Sequence, residues 1–228
     1  MSKVLIYAEG QTEERFIKDL LAPHLAGVGV HAQPVVATTK VVKTGPNFKG
    51  GIGKYSRTKK ELLRLLNDSS ASAVTTMLDY YGLDRSFPGR QSPQGADCYT
   101  RVAYVEEALS ADISAPTFMP FLTLHEFEGL LFASPDDMAQ ALPGGEHLGS
   151  ELSRIRRSFG TPEEINDDAE TAPHRRIVNV YPNYKKPLHG SLITARIGLK
   201  EIRTQCPHFN KWVSKLERLA PQGSEGYQ

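Results

Sequence analysis

The sequence predicts an α/β protein with a mostly parallel, Rossmann-like sheet flanked by helices, followed by a helical C-terminal extension. Strand-like and helical segments alternate four times in the first part of the chain, which is typical of a parallel sheet. From residue 135 onward the pattern becomes helical and loop-rich. We therefore predict an α/β core at residues 1–134 and a helical, loop-rich extension at residues 135–228 packed on it. A length of 228 residues is enough for such a core.

The first strand and helix lie at the start of the chain. Residues 3–7 are apolar strand formers, Gly10 ends the strand, and Thr12 is suited to cap the next helix. Glu13 lies in the first turn of that helix, where the helix dipole favours a carboxylate. The buried face of the helix is formed by apolar residues at helical spacing, namely Phe16, Ile17, Leu20 and Leu21. Pro23 is expected to end or kink the helix.

Three further strands are expected at residues 30–38, 73–78 and 117–124, with helices at residues 56–68 and 97–109 between them. The segment at 73–78, AVTTML, is apolar along its length except for two threonines, as expected for a strand buried on both faces. A short apolar helix should follow the last strand.

Composition excludes several classes of protein. The longest apolar runs are too short for a transmembrane helix, and the chain reaches Glu9 too soon for a signal-peptide core. Two cysteines are too few for a disulfide framework or a zinc motif, so we expect a cytoplasmic protein with reduced thiols. The sequence lacks a glycine-rich phosphate loop ending in Lys-Ser/Thr, so we expect no ATP hydrolysis by this chain.

The net charge of +1 hides an uneven distribution. Residues 40–64 carry eight Lys and Arg against one acid, residues 105–170 carry fourteen acids against three Arg, and residues 174–218 carry ten Lys and Arg against two acids. This pattern suits an acidic centre beside a surface that binds a polyanion. The candidate nucleic-acid contacts are Lys54, Arg57, Lys185 and Lys186, the last two lying among tyrosines. The alternative is ordinary solvated charge.

Acidic residues stand where three of the predicted strands end: Glu9, Asp79, and the pair Glu126 and Glu128. The carboxyl ends of parallel strands share one edge of the sheet, where ligands bind. Carboxylates that converge there repel one another unless a cation lies between them. Oxygen ligands of this kind suit Mg²⁺ or Mn²⁺. We therefore expect these four residues to be catalytic and to hold a metal, with Glu13 as a weaker metal ligand.

Each acid also has a structural interpretation. Glu9 could belong to a plain turn, Glu13 to a favourable helix start, and Asp79 to a helix cap. In extended backbone, Glu126 and Glu128 would face the same side, whereas on a helix they would point about 200° apart and one of them would face the site. We expect both to lie close to the site, because they occupy a strand-to-helix junction.

Three motifs resemble those of Toprim-type domains, which occur in primases, topoisomerases and the overcoming-lysogenization-defect nucleases. They are AEGQTE at residues 8–13, LDYYG at residues 78–82 and LHEFEGLL at residues 124–131. Along nearly its whole length the chain resembles the Toprim-like domain-of-unknown-function family 4276, including the segments at residues 162–166, 187–190 and 206–209. The resemblance implies a Toprim-like sheet and a divalent-metal-dependent nuclease. It also implies a role in anti-phage defence with a partner ATPase of the ABC type.

One residue departs from the Toprim pattern. The paired-aspartate motif has a second acid two residues after the first, and here that residue is Tyr81, with Asp84 as the next acid. This departure favours one well-held metal, with a second recruited by the substrate. It also favours the alternative function, a non-catalytic nucleic-acid-binding or regulatory subunit. Nucleotide transfer, as in primases, ranks last because no nucleotide pocket is evident.

Overall fold

A parallel sheet forms the centre of the molecule in this computed structural model. The structure describes residues 1–37, 52–91, 96–166 and 170–221, so residue 38, the expected end of the second strand, lies outside it. The strands are β1 (Ser2–Ala8), β2 (Val30–Val36), β3 (Ala73–Asp79), β4 (Phe118–Met119) and β5 (Leu122–Thr123). Every observed pairing between them is parallel. The α/β fold class with a mostly parallel sheet is therefore confirmed.

The strand order is β2-β1-β3-β4, with β5 also paired to β3. Val4 of β1 is in register with Ala32 of β2 on one side and with Ala73 of β3 on the other. The chain thus leaves β1 in one direction to form β2 and then crosses over to place β3 on the opposite side. Such a reversal creates a crevice outside the carboxyl ends of the two central strands.

Helices cover both faces of the sheet. They are α1 (Gln11–Phe16), α2 (Ala22–Gly27), α3 (Tyr55–Leu66), α4 (Cys98–Ile113), α5 (Pro135–Ala141), α6 (Gly149–Arg157), α7 (Pro173–Val180), α8 (Lys186–Ile197), α9 (Leu199–Gln205) and α10 (Pro207–Glu217). Short 3-10 helices lie at Phe127–Ala133, Glu146–Leu148 and Pro162–Glu164. No helix in the described ranges is long and apolar enough to cross a membrane.

The alternation of side chains along β1 divides the core into two clusters. Val4 and Ile6 pack with α1 and with the helices of the C-terminal extension. Leu5 and Tyr7 face the other side, against α3 and α4. On the first face, residues of the sheet and of the C-terminal extension therefore form one apolar cluster. This cluster includes residues of α1, of α8 and of the end of β3.

Two local features differ from the sequence expectation. Pro23 does not end the first helix: the chain continues from α1 through a π-helical segment, Ile17–Leu21, into α2, where Pro23 is the second residue. The π-helical segment changes the backbone hydrogen-bond pattern just before the proline, which has no N–H to donate. The strand expected at residues 117–124 is divided into β4 and β5. Pro120 cannot donate to the ladder, and the backbone N–H and C=O of Phe121 bond instead to the hydroxyl of Thr76 at 2.9 and 2.7 Å.

A buried glutamate anchors the last helix. The carboxylate of Glu163 accepts hydrogen bonds from the backbone N–H groups of His208 and Phe209, both at 2.9 Å. These groups begin α10 and would otherwise lack partners. Cys206, just before them, is fully buried, as expected for a thiol beside a helix start. Two of the distinctive downstream segments, residues 162–166 and 206–209, therefore meet to fix α10 on the core.

Candidate active site at the carboxyl edge of the sheet

Glu9 and Asp79 meet at the crevice between the two central strands. Glu9 directly follows β1, and Asp79 is the last residue of β3. The backbone N–H of Asp79 donates to Oε2 of Glu9 at 3.2 Å. Oδ1 of Asp79 accepts from the Thr123 hydroxyl at 2.7 Å and from the backbone N–H of Phe127 at 2.8 Å. Asp79 thereby joins the ends of β1, β3 and β5.

Glu13 approaches the same crevice from the first turn of α1. Its Oε2 accepts a hydrogen bond from the backbone N–H of Gly10 at 2.9 Å, and the side chain is buried. Gly82 makes room for Glu9, since a Cβ there would lie 3.2 Å from both of its carboxylate oxygens. The segments after β1 and β3 thus each place an acid at this crevice, and Gly82 leaves space for Glu9.

Glu126 and Glu128 lie at the expected strand-to-helix junction. Glu126 is extended, and the 3-10 helix begins at Phe127. Oε2 of Glu126 accepts from the backbone N–H of His174 at 3.0 Å. Oε2 of Glu128 lies 2.9 Å from Nζ of Lys186, while its Oε1 has no hydrogen-bond partner within the described part of the chain. Both glutamates therefore border the site, and Glu128, which is 0 % exposed, is the deeper one.

Burial and mutual repulsion make these carboxyl groups resist ionisation. Burial, together with the charge of Asp79, raises the pKa of Glu13 to about 8. Burial and the charge of Glu13 raise the pKa of Glu9, and burial and the charge of Glu9 raise the pKa of Asp79 well above its ordinary value. Burial also raises the pKa of Glu128, although Lys186 opposes this shift. The carboxyl groups of this cluster therefore tend to bind protons or to attract cations.

Lys186 supplies a positive charge inside the cluster. It is the first residue of α8, and its pKa reflects two opposing effects. Burial by itself would lower the pKa, but the carboxylates of Glu128, Asp79 and Glu126 outweigh burial and raise it. Lys186 is one of the predicted phosphate contacts, and in the structure its Nζ lies beside Glu128 in the acidic site.

The other three basic candidates lie outside the cluster. Lys54 and Arg57 are exposed at the start of α3, on the second face of the sheet. The backbone N–H of Tyr55 donates to Ser86, in the loop after β3, at 3.0 Å. This bond places the two side chains at the carboxyl edge of the sheet. Lys185 is exposed beside the mouth of the site.

Tyr81 and Asp84, two and five residues after Asp79, both contact residues outside the acidic cluster. The ring of Tyr81 lies against that of His125, with centroids 5.5 Å apart. Oδ1 of Asp84 accepts hydrogen bonds from the backbone N–H and hydroxyl of Ser86 at 3.0 and 2.5 Å, which lower the pKa of Asp84. Asp84 thus stabilises an exposed turn and does not replace the missing second acid.

His174 and Tyr184 border the site but were not singled out as site residues from the sequence. Nδ1 of His174 lies 3.8 Å from Oε1 of Glu128, and the two aromatic rings are 5.7 Å apart. Burial and the charge of Glu128 raise the pKa of Tyr184 well above its ordinary value. Their roles depend on how α7 and the following loop dock on the 3-10 helix at Phe127–Ala133. The local sequence carries no signal for that docking.

The donor atoms suit a hard divalent cation, since the acids offer carboxylate oxygens and Oε1 of Glu128 is buried without a hydrogen bond from any residue that the structure describes. The arrangement of these side chains is not that of a complete metal site. Among the residues that the structure describes, no three His, Cys, Asp or Glu side chains form a group that could hold a metal ion. The site therefore fits Mg²⁺ or Mn²⁺ by chemistry and charge, without a preformed coordination cage.

Fold and site together define a parallel α/β protein with an acidic centre at the carboxyl edge of its sheet. The chain belongs to the family described as domain of unknown function 4276, whose model matches residues 8–217. No curated protein matches the chain.

The chain is also similar to two structures of the C-terminal region of the OLD protein of Xanthomonas campestris pv. campestris. Both are 15 % identical to it. For one structure the TM-score is 0.37, and the match covers 96 % of this chain and 98 % of the OLD chain. For the second the TM-score is 0.34, and the match covers 94 % of this chain and 98 % of the OLD chain.

Proposed function

We propose that the protein is a divalent-metal-dependent nuclease that hydrolyses phosphodiester bonds in nucleic acid. The observation that carries this proposal is the convergence of Glu9, Glu13, Asp79 and Glu128 at the crevice between β1 and β3. Buried carboxylates that repel one another are costly in stability and are typical of functional sites. Their position at the carboxyl edge, where the strand order reverses, is where ligands bind in this class of fold.

Glu9 and Asp79 would hold the ion, with Glu13, Glu126 and Glu128 beside them. When bound, Mg²⁺ or Mn²⁺ supplies Lewis acidity and an activated water for the attack on phosphorus. The chain itself supplies the fixed positions: Thr123 and Phe127 orient Asp79 through its Oδ1, and Gly10 orients Glu13. Lys186 adds a positive charge that suits a phosphate group at the mouth.

Nucleic acid is the proposed substrate because exposed cations flank the acidic centre. Lys54 and Arg57 lie at the carboxyl edge on the second face, and Lys185 lies beside Lys186 on the first. Phosphate groups held by these side chains would lie over the acids. A partner ATPase of the ABC type and a role in anti-phage defence follow from the family resemblance alone.

The test compares the wild type with Glu9→Gln and Asp79→Asn, which keep shape and remove charge. Each variant should lose at least a hundredfold of the cleavage rate on labelled single- and double-stranded DNA and RNA in Mg²⁺ or Mn²⁺. Both variants should remain folded, because removing one negative charge relieves the repulsion among the buried carboxylates. The exposed Asp84→Asn is the matched control and should cleave like the wild type.

If Glu9→Gln and Asp79→Asn cleave as fast as the wild type, the proposed active site is wrong. If the wild type binds nucleic acid without cleaving it in either metal, the protein is the non-catalytic binding subunit that Tyr81 favours.

A further inference from the structure

The ammonium of Lys186 lies in the acidic site against the preference of its own helix. Lys186 is the first residue of α8, where the positive end of the helix dipole disfavours a cation. Its Nζ nevertheless lies 2.9 Å from Oε2 of Glu128, whose side chain is 0 % exposed. Departures from a local preference are expected at functional positions. The backbone at the start of α8 therefore needs support from elsewhere in the chain.

His189, one turn further along α8, supports this backbone. Its Nδ1 accepts a hydrogen bond from the backbone N–H of Lys185 at 2.9 Å. Its own backbone N–H donates to the carbonyl oxygen of Lys185, also at 2.9 Å. The arrangement resembles a capping box, in which a side chain from the first turn reaches back to the N–H of the residue before the helix. His189 thus binds both backbone polar groups of the residue that precedes Lys186.

The imidazole ring of His189 is fixed by its surroundings. The residue is 5 % exposed, and its ring packs against those of Tyr181 and Tyr184, at centroid distances of 5.6 and 5.7 Å. Because Nδ1 accepts a hydrogen bond, the proton of the neutral ring must lie on Nε2. The segment at residues 187–190, to which the proposed function gives no role, therefore contains a fixed acceptor at the start of α8.

We propose that His189 is a positioning residue of the acidic site: it holds the backbone of Lys185 so that the adjacent Lys186 side chain reaches Glu128. The inference rests on the proposed function for what the ammonium does there, which is to bind a phosphate group of the nucleic acid. The placement of Lys186 itself requires neither a metal nor a substrate, so it can be tested without them.

A double-mutant cycle in urea unfolding, with chelator present, measures the connection between His189 and Lys186. Lys186→Met leaves the buried carboxylate of Glu128 without its counter-ion and should raise the equilibrium constant of unfolding. His189→Leu keeps a buried apolar side chain but cannot accept the hydrogen bond, so Lys186 is no longer directed at Glu128. In the His189→Leu background, Lys186→Met should therefore have an effect smaller by a factor of about two or more.

Two further backgrounds separate positioning from packing. In His189→Asn the side-chain oxygen can accept from the Lys185 N–H, so Lys186→Met should keep its wild-type effect. Ile193→Val is the matched packing control, because Ile193 is buried one turn further along α8 and its apolar side chain cannot bond to Lys185. Its effect and that of Lys186→Met should add. Equal effects of Lys186→Met in all four backgrounds would overturn the proposal.

A measurement on the wild type decides the question if the leucine variant does not fold. Nitrogen-15 NMR of the imidazole distinguishes the two neutral tautomers. A proton on Nε2 of His189, with Nδ1 coupled to the amide of Lys185 through the hydrogen bond, supports the proposal. A proton on Nδ1 overturns it, because that nitrogen could not then accept.

Binding of a labelled oligonucleotide in chelator tests what the positioned ammonium does. Lys186→Met and His189→Leu should each weaken binding, and the double variant should bind no more weakly than Lys186→Met alone. Losses that add in the double variant would overturn the positioning role. Binding that Lys186→Met leaves unchanged would contradict the phosphate contact of the proposed function, whereas the unfolding cycle still decides whether His189 positions the lysine.

Discussion

At the scale of single residues, burial determines the chemistry of the acids. Glu13 was the weaker metal candidate from the sequence, because a glutamate in the first turn of a helix is favoured by the dipole alone. In the structure its carboxyl is buried and faces Asp79, which raises its pKa to about 8. The motif at residues 8–13 predicted where this side chain begins, but its burial depends on the docking of α8 on α1, which no local pattern reveals.

The raised pKa of Glu13 predicts that the metal-free protein becomes less stable as the pH rises from about 4.5 to 8. Glu13 has an ordinary pKa of 4.5 and a folded-state pKa of about 8, so the folded state binds more protons than the unfolded state between these values. The free energy of unfolding should therefore fall as the pH rises from about 4.5 to 8, by at most about 1.4 kcal/mol per pH unit for this group.

Urea unfolding at several pH values, with chelator present, measures this dependence. Glu13→Gln should match the wild type near pH 5, exceed it at pH 8, and show a shallower slope. A Glu13→Gln slope as steep as that of the wild type would mean that the carboxyl of Glu13 does not carry a raised pKa.

At the scale of elements, α8 is the helix that completes the site. Residues 181–189 contain two prolines and two lysines, and the sequence predicted nucleic-acid contacts at Lys185 and Lys186. The helix nevertheless begins at Lys186, with Pro187 in its first turn, where a missing N–H costs nothing. Gly190 then brings α8 against α1, since a Cβ there would lie 3.1 Å from Cγ2 of Thr12 and 3.6 Å from Cε1 of Phe127.

This close approach predicts the effect of a larger side chain at Gly190. Gly190→Val should push α8 away from α1 and lower the free energy of unfolding by about 1–3 kcal/mol. It should also weaken Mn²⁺ binding, because Thr12 and Phe127, which adjoin Glu13 and Glu128 in the chain, would shift. Ala195→Val is the matched control, since Ala195 is exposed on the same helix. Denaturant unfolding and Mn²⁺ titration measure both effects. If the two valine variants behave alike, the contact between α8 and α1 does not position the site.

At the scale of the whole molecule, the sheet order explains why distant acids converge. The alternation of strands and helices predicted parallel strands, and parallel strands place Glu9 and Asp79 on the same edge. The sequence could not predict that β1 and β3 are neighbours, because strand order depends on the crossover between β2 and β3. Nor could it predict that Lys186 enters the site, because this requires the C-terminal extension to pack on the same sheet face as α1.

The most direct test of the account is the position of Mn²⁺ in a crystal of the protein, located by its anomalous scattering. The account predicts an ion at the carboxyl edge between β1 and β3, with oxygens of Glu9 and Asp79 at about 2.1 Å, the usual distance for a small divalent cation. An ion bound elsewhere, or none at this edge in a crystal soaked at saturating Mn²⁺, would contradict the claim that these buried acids form a metal site.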